Sequence, residues 1–430
     1  MKIKPKSALI WLACIAYASF IPFHVRPLDF SDALVLFRQI PLLDLGAGSR
    51  ADWVANILLY IPLGFLLTGA AQGQSNSFFK NSLVLGAVFF SCLVAAVVFE
   101  FFQLFFSPRT VSVNDLIAEG IGSGAGIFLW AGFGDRLLHA LQVLKDKTRP
   151  ESRLNALFCF YLIFVISITL FPFDFLISIP EIQKKFQAWQ AQPFSGSGVV
   201  FWVKTMAEAL LFVPIGGYTG LKYRQSRRRN LFLLTLVVSL AAAIVIEFVQ
   251  FFLVSGISRG LSVGVKSAGA LAGLGIAKLP LARYGPLLKQ FAGLALVCAV
   301  PVYLVLCLKL NGWGISGWMD TGSAMQRFDY HMLIPFYYHY FTTETRAMVS
   351  LMMHFGLYLP IGAGGWIAAS LWGKKSICTI LALVFSAAGL AFVLEAGKLF
   401  QAGLHPDFTN ILIAVFAVVA GFRLTAYFFP

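Results

Sequence analysis

Charge is what this 430-residue chain has least of: 12% of its residues are Asp, Glu, Lys or Arg, and only 19 of them are acidic, against 59% hydrophobic. That balance excludes a soluble domain with a polar surface. Lipid is the solvent for which such a chain is built. Cysteine is scarce as well, six in all, and Cys14, Cys92, Cys159, Cys298, Cys307 and Cys378 each sit inside an apolar run. No disulfide framework or zinc site is built there. Four of the six histidines, His24, His331, His339 and His405, share no ligand spacing, so no metal is assigned. No cofactor motif is read either. A nucleophile elbow is missing too: Gly120, Gly122, Gly124 and Gly126 surround Ser123, but Ile121 and Ala125 occupy the wrong places for it. Overlapping small-xxx-small pairs that let helices approach closely explain these glycines better.

What the chain does have is a net charge of +14. In a soluble protein that excess would suit nucleic acid. Here the basic residues fall in short clusters between apolar segments, which reports membrane topology, and no nucleic-acid partner is expected. The opening MKIKPK and the apolar run Ala8 to Phe23, with Ala16-Tyr17-Ala18 as a cleavage site, have the form of a secretory leader. A similar segment recurs internally, however. Ile21-Pro22-Phe23 closes the first run and Phe171-Pro172-Phe173 closes the run from Leu154, so the first is read as a retained span.

A semi-polar loop ending in Ile40-Pro41-Leu42 leads to a helix from Asp52 to Ala71, the turn AQGQSNSFFK, a helix from Asn81 to Phe106, the loop SPRTVS and a helix from Val113 to Phe133. A basic segment through Lys145, Lys147, Arg149 and Arg153 closes the unit. The order repeats from Leu154, with a loop containing Pro193-Phe194, a helix from Trp202 to Leu221, the basic turn KYRQSRRRN, and helices near Leu231–Leu253 and Leu261–Leu279. It repeats again from Phe291 to Phe429, each copy about 150 residues after the last. Each span approaches the roughly 20 apolar residues a bilayer requires, which predicts an all-α polytopic bundle of about twelve transmembrane helices. The units are 1–153, 154–290 and 291–430, each of four helices, so all face the same way. That arrangement excludes the inverted repeats of many transporters. Roughly twenty Lys and Arg lie at the N-terminus, in the basic turns and between units, against about nine in the alternate loops, which places both termini in the cytoplasm.

Three motifs recur. The first is ANILLYIPLG at Ala55–Gly64, AEALLFVPIG at Ala207–Gly216 and MHFGLYLPIG at Met353–Gly362. Pro62, Pro214 and Pro360 lie inside transmembrane helices and bend them, and six residues before each stands a polar side chain, Asn56, Glu208 or His354. The second motif is Glu100-x-x-Gln103, Glu247-x-x-Gln250 and Glu395-x-x-Lys398, whose i,i+3 spacing puts both groups on one face, where they can share a partner. The third follows a short loop: Arg109, Ser112, Asp115 and Glu119 in the first unit; Arg259, Ser262, Val265 and Gly269 in the second; Leu404, Asp407, Asn410 and Ala414 in the third.

These motifs resemble the VanZ-like family, whose pattern is a proline-containing helix of NxxxFxPxG type, a Glu-x-x-Gln helix, then Arg-x-x-Asp-x-x-Asp-x-x-x-Asn leading into a glycine-rich helix. The resemblance covers nearly the whole chain as three copies. The first copy matches best, through Asn56, Pro62, Gly64, Glu100, Gln103, Arg109 and Asp115, with Ser112 in place of the first Asp and Glu119 in place of the Asn. The second lacks both acidic positions of the third motif, and the third lacks the Arg. What the resemblance implies is a cell-envelope protein of the bacterial cytoplasmic (inner) membrane, in a family whose founding member is associated with resistance to the glycopeptide teicoplanin. It brings no biochemical activity with it.

Independently of that resemblance, intramembrane charges are costly and mark sites. Asn56, Glu100 and the stretch from Arg109 through Ser112 to Asp115 converge at one depth in the outer leaflet, where Arg109 can grip phosphate or carboxylate bidentately while Glu100 and Asp115 pair with it or hold a proton, and Gln103 and Glu119 complete the candidate set. The expected role is to bind an anionic lipid-linked headgroup at the outer leaflet. Glu208, Glu247, Gln250, Arg259, His354, Glu395, Lys398, Asp407 and Asn410 are secondary polar positions, which interhelical hydrogen bonding also explains. Partners are membrane lipids, a lipid-linked envelope precursor or other envelope membrane proteins. The alternatives are an assembly partner of an envelope complex, a transporter, or a membrane-embedded hydrolase or transferase. The inner halves of the helices are almost free of the carboxylates a proton-coupled transporter needs, and Glu100 with Asp115 is the only acid–base pair a hydrolase could use. Binding is favoured over catalysis.

Overall fold

A computed structural model of the chain describes residues 3–46, 48–71, 78–146, 148–191, 198–279, 281–314, 317–373 and 377–428. The turn at 72–77, Lys147 and the Pro193-Phe194 loop lie outside the described residues. The chain forms two compact units, Met1–Phe20 with Val25–Leu279, and Ile21–His24 with Pro280–Pro430.

Among the described residues the first unit holds ten helices: α1 (Pro5–Phe20), α2 (Phe30–Arg38), α3 (Arg50–Ala71), α4 (Phe78–Gln103), α5 (Val113–Lys145), α6 (Pro150–Leu170), α7 (Ile179–Ala191), α8 (Gly198–Lys222), α9 (Arg228–Phe251) and α10 (Gly260–Lys278). The second unit holds α11 (Leu281–Leu310), α12 (Thr321–Gln326), a 3-10 turn at Tyr330–Leu333, α13 (Tyr337–Tyr340), α14 (Glu344–Leu371), α15 (Ile377–Lys398) and α16 (Thr409–Phe428). Among the described residues, ten helices are long and apolar enough to cross a membrane. Two further expected spans correspond to α1, an apolar helix of 16 residues, and α8, a helix of 25 residues that carries Lys204 and Glu208. Among the described residues strand is almost absent, so backbone groups are satisfied within helices, as a lipid environment demands.

The segments read as loops before the second span of each early repeat contain α2 and α7. Their sequences place apolar and polar residues on opposite faces of a short helix, FSDALVLFR in one case and IPEIQKKFQAWQA in the other, which suits a helix lying along a surface. The boundary expected at 290 falls inside α11, whose helical sequence starts well ahead of its apolar part.

One packing device recurs. A methyl group added at Gly64 would strike the Ser123 carbonyl, and one at Gly122 or Gly126 would strike the carbonyls of Ile57 or Ile61, so α3 and α5 touch backbone to backbone. Gly216, Gly269 and Gly273 do the same for α8 and α10, and Gly362 and Gly421 for α14 and α16. Only glycine permits such approach, and small residues are what lipid-embedded helices use to gain packing contact. Beside this pair, the remaining long helix of each set, α4, α9 or α15, brings its glutamate toward the first turns of the next helix, α5, α10 or α16. Short backbone ties fix that end: Arg26 N–H donates to the Phe105 carbonyl (2.9 Å), Leu176 N–H to Phe252 (2.7 Å) and Met319 N–H to Phe400 (2.8 Å).

Candidate functional site

In the first helix set, polar side chains from four segments meet where α4 ends and α5 begins. Ser112 stands at the N-cap of α5 with extended backbone, and its hydroxyl donates to Asp115 Oδ2 (2.6 Å) in the helix's first turn. Asp115 sits there favourably, since a helix N-terminus attracts negative charge. Its other oxygen accepts from Asn56 Nδ2 (2.8 Å) on α3, which locks α3 to α5. Asn114, on the neighbouring face, trades hydrogen bonds with the backbone of Leu43 at 2.8 and 2.9 Å. Glu100 on α4 is 2% exposed and accepts from Gln103 Nε2 (2.9 Å), as the i,i+3 spacing expects. Arg109, in the intervening loop, donates to the Ala18 carbonyl at the end of α1, within electrostatic reach of Glu100.

One turn deeper, Glu119 on α5 is 2% exposed and Tyr60 on α3 is wholly buried beside it. Tyr60 follows Asn56 by one helical turn, so the same face of α3 carries both. The outer oxygens Glu100 Oε2 and Glu119 Oε2 and the Tyr60 hydroxyl are buried and make no hydrogen bond of ordinary length and angle. Ser123 donates to the Glu119 backbone carbonyl (2.8 Å), one turn back on its own helix.

The sequence model of the VanZ/LLP1 family matches residues 8–134 and 158–282, more than half of the chain. The chain belongs to the VanZ/LLP1 family. No curated protein and no solved structure matches it. The two matched segments make α1–α5 and α6–α10 tandem VanZ/LLP1 repeats within the first compact unit.

The glycine contacts give the repeats a different register from the one read from sequence. The same number of residues separates Glu100 from Glu247, Ser123 from Ala270, Gly122 from Gly269 and Gly126 from Gly273. Arg259 therefore takes the place of Ser112 and Ser262 that of Asp115, while the place of Glu119 goes to Lys266 and that of Arg109 to Gly256. Matching arginine to arginine had slipped the second VanZ/LLP1 repeat by one helical turn, which made Val265 and Gly269 look like the lost acidic positions.

In its true register the second repeat is electrostatically closed. Lys266 is 1% exposed and its Nζ meets Glu247 Oε1 at 2.5 Å, while Arg259 N–H donates to Glu247 Oε2 (2.8 Å). Arg259 Nη2 pairs with Glu208 Oε1 at 3.0 Å. Gln250 does not join Glu247; it donates to the Thr169 carbonyl (2.7 Å) at the end of α6. In the second compact unit, Glu395 accepts from Lys398 Nζ (2.7 Å), Asn410 Nδ2 (2.8 Å) and the Asp407 N–H (2.8 Å). Burial opposes ionisation of Asp407, but His339 at 3.2 Å and the Thr409 hydroxyl outweigh it and hold the carboxyl below its ordinary range. His354 is buried and hydrogen-bonds the Ser350 carbonyl (2.8 Å) on its own helix.

Sequence reasoning missed three residues. Lys266 was legible from the glycine spacing, and Tyr60 from its one-turn offset to Asn56. Arg50 left no local signal: it makes a two-pronged pair with Glu181 on α7 (2.9 and 2.8 Å), tying the start of α3 in one VanZ/LLP1 repeat to the next.

Proposed function

We propose that the first repeat is a binding site for the anionic headgroup of a lipid-linked envelope molecule, opening to the outer leaflet of a bacterial inner membrane, with both chain termini in the cytoplasm. The observation that carries this reading is an asymmetry among repeats. The second helix set neutralises its buried glutamate with Lys266 and the third with Lys398, whereas the first leaves Glu100 and Glu119 without a lysine and sets Arg109 at the mouth. Buried charges left without a lysine at such cost in a membrane interior are the ones expected to meet a ligand. Donors from Arg109, Asn56 and Gln103 supply the phosphate-binding chemistry. We read α11–α16 as a third copy of the same unit, on the recurrence of the proline motif at Pro360 and the glycine contacts of α14 with α16.

The closed Glu247–Lys266 and Glu395–Lys398 pairs favour a second reading for the later copies, as scaffold that holds the first in an envelope assembly. Native mass spectrometry of wild type, Arg109→Ala and Glu100→Gln at matched yield tests the proposal. A specific anionic lipid retained by wild type and lost by both variants supports the site. Identical lipid profiles in well-folded variants refute it and leave the scaffold reading for the whole chain.

A further inference from the structure

We propose that Glu100, Glu119 and Tyr60 form a buried proton-binding site, in which one of the two carboxyl groups keeps an exchangeable proton. The inference is independent of whether a headgroup binds above it. Three helices each contribute one group, all 2% exposed or less, and each group keeps an oxygen with no hydrogen-bond partner. Two neighbouring carboxylates cannot both stay ionised in a water-free interior without a cation, because like charges at short range disfavour the charged forms and burial does so again. A proton on one of them removes its charge and turns an unpartnered acceptor into a donor. The Tyr60 hydroxyl, adjacent to Glu119, can donate to a carboxyl oxygen that carries no proton.

The other helix sets supply the comparison that points to a proton. Where the first repeat has Glu119, the second has Lys266 in contact with Glu247, and where the first has Tyr60, the second has Phe212. In the second compact unit the position of Glu119 is Ala414, Tyr358 stands where Tyr60 does, and Lys398 neutralises Glu395 from its own helix. Each set cancels the charge of its glutamate. Lysine does so permanently in two of them, whereas in the first the Arg109 guanidinium faces Glu100 with two further carboxyl groups, Asp115 and Glu119, close by, and a titratable proton or a mobile cation is left to offset the remainder. The ionisable and charged groups around the pair are Cys92 on α4, Asp115 on α5 and Arg109 in the α4–α5 loop, and α1, packed over α3 and α4, carries Tyr17. Arg109 is shared with the Ala18 carbonyl, and Asp115 is already served by Asn56 and Ser112. A proton fits the closed surroundings better than a metal ion, since among the described residues no three His, Cys, Asp or Glu groups are placed to hold one.

Infrared difference spectroscopy of the full chain in nanodiscs, with glutamate carboxyl groups carbon-13 labelled, reads the proton directly. Wild type at neutral pH is expected to show the carbonyl stretch of a protonated carboxylic acid, isotope-shifted by the label, lost in Glu119→Gln and Glu100→Gln and displaced in frequency by Tyr60→Phe. Circular dichroism confirms matched helicity. A folded wild type with no such band at neutral pH overturns the proposal whatever the variants do. So does a band that survives in both glutamine variants, or one that forms only when sodium and potassium are withdrawn, which assigns the site to a cation.

Discussion

Replacing Lys266 by Met removes the cation that Glu247 faces inside the second repeat, and the structure sets the scale of the loss. Both side chains are almost fully buried and the pair is in direct contact, so the variant leaves a carboxylate with one hydrogen bond, from the Arg259 N–H, and without the cation in contact with it. Breaking such a pair from one side costs about 3–5 kcal/mol. Glu247→Gln alone strands the ammonium instead and costs a similar amount. The double variant behaves differently: Gln keeps an oxygen for the Arg259 N–H and Met fills the space of the lysine stem, so it lies within about 1 kcal/mol of wild type, since removing a buried pair whole is often neutral. Denaturant unfolding in detergent, followed by tryptophan fluorescence, gives all four corners of the cycle. Coupling between the sites is then several kcal/mol and favourable. A Lys266→Met variant as stable as wild type, or a double variant whose loss is the sum of the singles, refutes the pairing and with it the corrected register.

Three other outcomes follow from local geometry. Gly126→Val drives a side chain into the Ile61 carbonyl and the Phe65 amide and is expected to cost at least about 1–3 kcal/mol as overpacking, whereas Gly132→Val on the same helix meets open space; detergent size-exclusion profiles and melting curves separate the two. Glu181 is held down to about 2, first by its hydrogen bonds to Arg50 and then by the Ile177 N–H. A depressed carboxyl contributes stability that is complete above the ordinary glutamate range, near 4.3, and is lost as pH falls toward 2, so hydrogen exchange in α7 rises in that window. In Arg50→Ala the rise begins at higher pH, and an unchanged acid limb refutes the clasp. Asn56→Leu withdraws a donor from Asp115 and is expected to destabilise by about 1–3 kcal/mol, read as earlier unfolding with α3 and α5 exchanging together.

The bundle was legible in the sequence because its causes are local. Runs such as SLVLGAVFFSCLVAAVVF, in α4, have no fold but a membrane helix, and the prolines at positions 62, 214 and 360 are carried inside long helices as their apolar flanks require. The short helices α2 and α7 were missed because nine to thirteen residues with mixed polarity give too few turns to tell an amphipathic helix from a loop. At the site, spacing within one helix was informative: Glu100 with Gln103 and Glu395 with Lys398 pair as i,i+3 neighbours should. Spacing across a loop was not. Arg259 looked like Arg109 because both are arginines a short loop past a glutamate helix, and only the backbone contacts of Gly269 and Gly273 reveal which turn of α10 faces α8. Long-range partners such as Arg50 and Glu181 depend on how one helix set lies against the next, which no periodicity records.

The glycines that bring α3 against α5 also fix what mutation can do to the chain over time. Glu119 and Gly122 lie within one turn of the same rigid helix, so charge and close contact are carried as a single block, and so are Lys266 and Gly269. An inserted residue between them would rotate one about 100° from the other and lose both. Length is therefore frozen in this segment while identity is free, and one position, Glu119 in the first repeat and Lys266 in the second, decides whether the glutamate of the neighbouring helix faces a second carboxyl group or an ammonium.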